Sequence, residues 1–133
     1  MTAKRIILWA STCTVILIVL QSCFNDATLV IDNSPAITKA VSFSNDIIPL
    51  FAKNCSISGC HNSGGVTPDL TSTKAYSSLT VGNFINTANP KQSLLYMYLT
   101  GAKTPAMPLG SPNNPSNINQ YVLAWIQQGA KNN

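Results

Sequence analysis

The longest hydrophobic run in this 133-residue chain lies near its start. Residues 6–20 are almost all apolar and follow the basic pair Lys4 and Arg5. A basic start followed by about 15 apolar residues is typical of a secretory signal peptide, because a membrane span would need roughly 20. The sequence therefore predicts a signal peptide over residues 1–22, and a mature protein that works outside the cytoplasm.

The next pattern consists of short apolar segments with helical spacing, separated by long polar loops. Ser44 or Asn45 can cap the first segment, and Pro49 is tolerated because it lies close to the first turn. The apolar side chains of this segment are Ile47, Ile48, Leu50 and Phe51. The predicted helix runs directly into Cys55.

Three more helices are predicted after this one. A short helix is expected over residues 73–79, and another between a start at residues 89–90 and a stop at Gly101. The last helix has Ser116 as its cap and Gly129 behind its end. Its apolar face is formed by Ile118, Tyr121, Val122, Trp125 and Ile126. Because no strand pattern of comparable length is present, the sequence predicts an all-α domain.

Residues 23–42 have no sustained hydrophobic period and carry Pro35 among small polar residues. We interpret them as the mature N-terminus and a flexible tether, with room for a short strand at residues 28–31. Fully extended, the tether could reach on the order of 65 Å. Residues 43–133 then form one small domain. A domain of that size often needs a disulfide, a metal or a cofactor for stability.

The four cysteines have different expected fates. Cys13 leaves with the signal peptide. Residues 20–23, LQSC, resemble a bacterial lipobox, in which the cysteine is lipidated and becomes the first mature residue; the alternative is that Cys23 merely lies near an ordinary cleavage site. Cys55 and Cys60 then remain. Outside the cytoplasm such a pair can form a disulfide, hold a metal or be alkylated by a cofactor.

The charged residues of the chain argue against nucleic-acid binding and against acid–base catalysis. The part after the predicted signal peptide has six lysines, four aspartates, no arginine and no glutamate, so the pI of about 9.0 owes much to Lys4 and Arg5. We therefore expect no nucleic-acid partner. Asp46 and Asp69 are isolated in the sequence and the chain has one histidine, so no acid–base or nucleophile cluster is apparent.

The stretch CSISGCH, residues 55–61, places the only histidine directly after the second of two nearby cysteines. Covalent haem attachment needs two thiols on one short segment, because the vinyl groups that they alkylate lie on one edge of the porphyrin, and a histidine that can reach the iron. The usual spacing is Cys-x2-Cys-His, whereas this chain has Cys-x4-Cys-His. The alternatives are a disulfide that closes a small loop, and a zinc site that would lack ligands.

Four segments, in this order, resemble mono-haem c-type cytochrome domains, in particular lipoprotein cytochromes of Bacteroidetes-like bacteria. They are FSNDIIPLFAKNCSISGCH, NPKQSLLYMYL, TPAMPLG and YVLAWIQQGAKN, within residues 43–132. The resemblance implies an all-α, cytochrome c-like bundle of short helices and long loops around one covalent haem c. It implies that Cys55 and Cys60 attach this haem, and that His61 is the proximal iron ligand.

The distal iron ligand is expected to be Met107. This residue lies between Pro105 and Pro108 in TPAMPLG, the segment that resembles the methionine loop of those cytochromes, and prolines stiffen such a loop. Met97 lies between two tyrosines in a predicted helix, where a methionine more often fills the core.

Together these expectations describe a one-electron carrier rather than an enzyme, since iron with six ligands has no open position. Its partners would be redox proteins, with no small-molecule substrate. A lipid on Cys23 would hold it in the membrane of the cell envelope, facing the periplasm or the outer surface. The alternatives are a small haem enzyme or sensor with an open distal site, and a disulfide-stapled lipoprotein that acts as a binding module without haem.

Overall fold

The computed structural model of the protein describes residues 35–110 and 117–133. A π-helical turn, Phe43–Ile47, leads into α1, Ile48–Asn54; α2 is Ala75–Val81; a 3-10 turn, Pro90–Gln92, precedes α3, Leu94–Leu99; and α4 is Ile118–Gln127. These ranges contain no strand, so the predicted all-α class is confirmed for them. Within the same ranges, no helix has the length and apolar character needed to cross a membrane.

Several predictions fall on other parts of the chain. The signal peptide of residues 1–22, the lipidation residue Cys23, the strand at residues 28–31 and the cap Ser116 all lie outside the described residues. They stay predictions.

The cap of the first helical segment lies two or three residues before the predicted one. Ser42 has an extended backbone, and its Oγ accepts a hydrogen bond from the N–H of Asn45 at 3.2 Å. The Asp46 carboxylate accepts one from the N–H of Ser42 at 2.9 Å. The prediction of Ser44 or Asn45 as the cap was therefore wrong, because Phe43 already belongs to the first turn. Pro49 lies at the start of α1, as expected, where proline is tolerated.

The core is formed where this first turn packs on α4. The Phe43 ring lies 4.9 Å from the Trp125 ring, centroid to centroid, and 5.4 Å from that of Tyr76, in an edge contact. The largest fully buried side chains include Trp125, Phe51, Ile47, Leu79, Ile118 and Ile126. Burying each side chain of this kind contributes about 1.5–3 kcal/mol, so the two ends of the domain stabilise each other.

The end of α4 follows the predicted pattern. Gln128 is its C-cap, and Gly129 has the left-handed φ of +94° that favours glycine at this position. The chain then turns back, so that the Trp125 Nε1–H donates to the carbonyl of Lys131 at 2.8 Å. The indole N–H of the buried Trp125 therefore has a hydrogen-bond acceptor.

Residues 37–42, which we call the N-terminal strap, lie against α4 instead of extending freely. Val41 is buried in the core. The Gln128 amide accepts from the N–H of Val41 at 2.9 Å and donates to the carbonyl of Lys39 at 3.0 Å. Lys39 also pairs with Asp46 at 2.7 Å. The packed unit therefore begins before residue 43, the predicted domain start. The sequence did not indicate this, because one buried valine and backbone hydrogen bonds to a distant side-chain amide produce no periodic pattern.

We expect two aliphatic residues on α2 to differ sharply in their effect on stability. Leu79 is 0% exposed and Val81 is 82% exposed. Leu79→Ala should lower the free energy of unfolding by about 2–5 kcal/mol, because it leaves a cavity. Val81→Ala should change it by less than about 0.5 kcal/mol. Urea unfolding of both variants, in the same cofactor state, measures the difference; equal losses would contradict this packing.

Candidate functional site

The two cysteines and the histidine lie in one turn that follows α1. Cys55 is the C-cap of α1. The N–H of Cys60 donates to the carbonyl of Ile57 at 3.0 Å, and the N–H of His61 donates to the carbonyl of Cys55 at 3.0 Å. Gly59 has a φ of +79°, which an L side chain would strain. The four residues between the cysteines therefore close into a compact loop, with His61 at its end.

The two thiols lie in different environments. Cys55 is 9% exposed and belongs to the hydrophobic core, whereas Cys60 is half-buried. Both thiols are free. Burial raises the pKa of Cys55 to about 11, and the negative charge of a Cys60 thiolate acts in the same direction. Cys55 is therefore a protonated thiol at neutral pH, held at the edge of the core.

The His61 ring is held by two backbone carbonyls. Its Nδ1 lies 3.0 Å from the carbonyl oxygen of Val66 and 3.0 Å from that of Pro68. A carbonyl oxygen can only accept, so Nδ1 must carry the proton, and the neutral ring then has its lone pair on Nε2. Nε2 is thus the atom of this ring that can bind a metal ion.

The loop that supplies these carbonyls is itself hydrogen-bonded to the cysteine turn. The N–H of Val66 donates to the carbonyl of Cys60 at 2.7 Å, and the N–H of Leu70 donates to that of His61 at 2.8 Å. Pro68 is buried. The loop that contacts the imidazole is therefore held against the cysteine turn by backbone hydrogen bonds.

Met107 reaches the same core from a separate loop. This loop follows α3 and is bound back to it, because the N–H of Lys103 donates to the carbonyl of Met97 at 3.1 Å and the N–H of Met107 to that of Tyr98 at 2.9 Å. The half-buried Met107 packs against the core that contains Cys55. Met97 lies within α3 and Met107 lies in a loop, as predicted, and the choice of Met107 as the iron ligand stays a prediction.

Apolar side chains are exposed both in the segment that carries the cysteines and His61 and in the Met107 loop. Four large hydrophobic residues of the described chain are exposed, and three of them, Ile57, Val66 and Leu109, lie close in sequence to the candidate ligands. Each of the two ligand-bearing loops therefore exposes at least one large apolar side chain.

The carboxylates of the described residues are engaged elsewhere. Asp69 accepts hydrogen bonds from the hydroxyl of Thr71 at 2.6 Å and from its N–H at 2.9 Å, and both hold the pKa of Asp69 below its usual value. The hydrogen bonds from Lys39 and from the N–H of Ser42 likewise lower the pKa of Asp46. In residues 35–110 and 117–133, no three His, Cys, Asp or Glu side chains converge to hold a metal ion. An iron site with one histidine and one methionine ligand does not need such a cluster, because only the histidine is of these residue types.

The sequence did not indicate two features of the site. A backbone carbonyl commonly orients a ligating histidine, but the sequence did not show that the carbonyls of Val66 and Pro68 would do so. The carbonyl of Tyr98, which holds Met107, was not predicted either. Every residue has a carbonyl, so only the path of the chain shows which ones are used.

No protein-family model matches the sequence, and neither a curated protein nor a solved structure matches the chain. The function is therefore argued from the geometry of the site.

We expect the two cysteines to differ in reactivity when the protein carries no cofactor. A thiol with a pKa of about 11 is only about 0.1% thiolate at pH 8, and the thiolate is the reactive form. Cys55 should therefore react with iodoacetamide at least about tenfold more slowly than Cys60. Peptide mass spectrometry over a time course measures both rates. In 8 M urea the difference should disappear; a native protein with equal rates would contradict the burial of Cys55.

Proposed function

We propose that the protein is a one-electron carrier with one haem c, attached covalently through Cys55 and Cys60 and ligated at its iron by His61 and Met107. The observation that carries this proposal is the contact of His61 Nδ1 with the carbonyls of Val66 and Pro68. These contacts fix the tautomer and the ring orientation, and they leave Nε2 as a ligand atom. A metal-ligating histidine is commonly oriented in this way.

The donor set around His61 fits this cofactor. Two free thiols lie in the same turn as the imidazole, and each can add to a vinyl group without an oxidant. Cys55 belongs to the core, and the ligand-bearing loops carry exposed apolar side chains, which suit a large flat apolar group. A zinc site would instead need several ligand side chains that converge on one point.

Met107 suits the distal position better than Met97. Its loop is tied to α3 at the carbonyl of Tyr98, and its half-buried side chain packs on the hydrophobic core of the domain, whereas Met97 lies within α3. A thioether favours the ferrous state, so a His/Met pair is expected to give a higher potential than a stronger donor or water.

A carrier fits the remaining residues better than an enzyme. The bound haem would supply a reversible one-electron couple at its iron. His61 and Met107 would both be iron ligands, and the carboxylates of Asp46 and Asp69 accept hydrogen bonds within their own turns. We accordingly propose redox proteins as partners, and no small-molecule substrate.

The proposed location is the cell envelope, with a lipid on Cys23 as the membrane anchor and the domain facing the periplasm or the outer surface. This part of the proposal comes from the apolar run of residues 6–20 and from the LQSC segment. It does not depend on the haem.

The attachment is tested by changing the two cysteines. In a host with a working cytochrome c maturation system, the wild-type mass should increase by one haem, and Cys55→Ser with Cys60→Ser should abolish covalent haem. Each single variant should keep at most one thioether. A haem-free wild-type protein whose mass shows the loss of two hydrogens would instead support the disulfide-stapled binding module, and haem that stays on the double variant through denaturing electrophoresis would contradict the assignment.

The distal ligand is tested with a matched pair of methionine variants. Met107→Ala should lower the reduction potential and open a coordination position, and the weak far-red band expected of oxidised iron bound to methionine sulfur should vanish. Met97→Ala should keep that band. Redox titration and visible spectra measure both effects. Loss of the band in Met97→Ala would contradict the ligand choice, and ready binding of carbon monoxide by the wild type would favour the enzyme or sensor alternative.

A further inference from the structure

The loop that brings a second carbonyl to His61 passes very close to the cysteine turn at Gly65. The N–H of Gly65 donates to the carbonyl of Asn62 at 2.9 Å, and that of Val66 donates to the carbonyl of Cys60 at 2.7 Å. A Cβ atom on Gly65 would collide with the same carbonyl oxygen of Cys60 and would lie 2.6 Å from Oδ1 of Asn62. The oxygen of Cys60 belongs to the backbone, so no rotation of a side chain can relieve this collision. The loop therefore keeps this path only with glycine at residue 65.

The neighbouring Gly64 is favoured for a different reason, its backbone conformation. Its φ is +76°, and a Cβ atom there would have no heavy atom within 4 Å. Asparagine adopts this left-handed conformation more readily than most residues, so Gly64→Asn adds a side chain with little strain. The φ of Gly65 lies outside this region, and only the lack of space excludes a side chain from it. The two adjacent glycines therefore form a matched pair for an experiment.

The two carbonyls that contact the His61 ring are held by different parts of the fold. The carbonyl of Val66 belongs to a residue whose N–H is bonded to the cysteine turn. Pro68 is followed by Asp69, whose N–H donates to the Oγ of Ser78 on α2 at 2.9 Å. A change in the path of residues 64–66 can therefore move one carbonyl and leave the other in place.

The shared hydrogen bond affects how strongly His61 binds a metal. Nδ1 has one proton and lies 3.0 Å from each of two carbonyl oxygens, so its N–H forms a three-centre hydrogen bond. An acceptor on this N–H makes the imidazole a more basic ligand. Because a more basic ligand favours ferric over ferrous iron, removal of one acceptor is expected to raise the reduction potential.

We propose that Gly65 is a positioning residue. The absence of its side chain keeps the carbonyl of Val66 on Nδ1 of His61 as a second acceptor, and this acceptor lowers the reduction potential of the iron. A side chain at residue 65 would displace the Val66 carbonyl from the ring, whereas the carbonyl of Pro68 would stay, because α2 holds the next residue. The effect on the potential rests on the proposed function, and the placement of the carbonyl does not.

NMR spectroscopy of the purified mature protein, reduced where it carries haem, tests the placement of the carbonyl. In the wild type, coupling through the hydrogen bond should join Nδ1 of His61 to the carbonyl carbons of both Val66 and Pro68. Gly65→Ala should remove the coupling to Val66 and speed hydrogen exchange of the Val66 amide at least about tenfold, while the coupling to Pro68 remains. Gly64→Asn should keep both couplings and change that exchange rate less than about twofold.

Redox titration of the same proteins, loaded with haem, tests the effect on the iron. Gly65→Ala should raise the reduction potential above that of the wild type, and Gly64→Asn should leave it unchanged. General damage to the site that releases Met107 would instead lower the potential and remove the far-red band. The direction of the shift therefore separates loss of the Val66 acceptor from loss of the distal ligand.

Three results would overturn the role proposed for Gly65. They are a wild-type protein without coupling between His61 and Val66, a Gly65→Ala variant that keeps this coupling or fails to fold, and a Gly65→Ala potential equal to or below the wild-type value. A protein purified without haem would contradict the proposed function, while its NMR spectra would still decide the placement of the carbonyl. A protein with haem whose potential does not respond to Gly65→Ala would contradict only the role of Gly65.

Discussion

The packing of the Phe43 ring on the Trp125 ring is the contact on which the rest of the domain depends. It joins the first helical turn to the last helix, and aromatic contacts of this kind add about 0.5–1.5 kcal/mol to the burial of their area. Because α1 continues from that first turn and ends at Cys55, the same contact positions the start of the cysteine turn.

Hydrogen bonds from the far end of the chain reinforce this junction. The carbonyl of Asn133 accepts from the N–H of Ser44 at 2.8 Å, and its side-chain Oδ1 accepts from the N–H of Phe43 at 2.9 Å. These donors belong to the first turn of a helix, where no partner is available within the helix itself. The side-chain amide of Gln128 likewise binds the N-terminal strap, since it accepts from the N–H of Val41 and donates to the carbonyl of Lys39. Hydrogen bonds from the C-terminal end of the chain therefore hold both the N-terminal strap and the first helical turn.

Within the site, backbone groups position the side chains that carry the proposed chemistry. Carbonyls of Val66 and Pro68 orient the His61 ring, and the carbonyl of Tyr98 ties down Met107. This arrangement tolerates changes in the identity of the loop residues, provided that the path of the loop is kept. Gly59, with its positive φ, is one position where the path itself requires a particular residue.

The sequence by itself determined the local features of this protein. The spacing of apolar residues indicated four helical segments, and the structure has α4 at Ile118–Gln127 with Gly129 behind it, close to the prediction. The adjacency of Cys60 and His61, and the loop position of Met107, were also readable, because each depends on neighbours in the chain. Tertiary structure alone decided that Val41 is buried in the core and bonded to Gln128, and that the carbonyls of Val66 and Tyr98 hold the side chain of His61 and the backbone of Met107. These contacts join residues with no common pattern in the sequence, and a backbone carbonyl is the same in every residue, so only the folded path of the chain could select them.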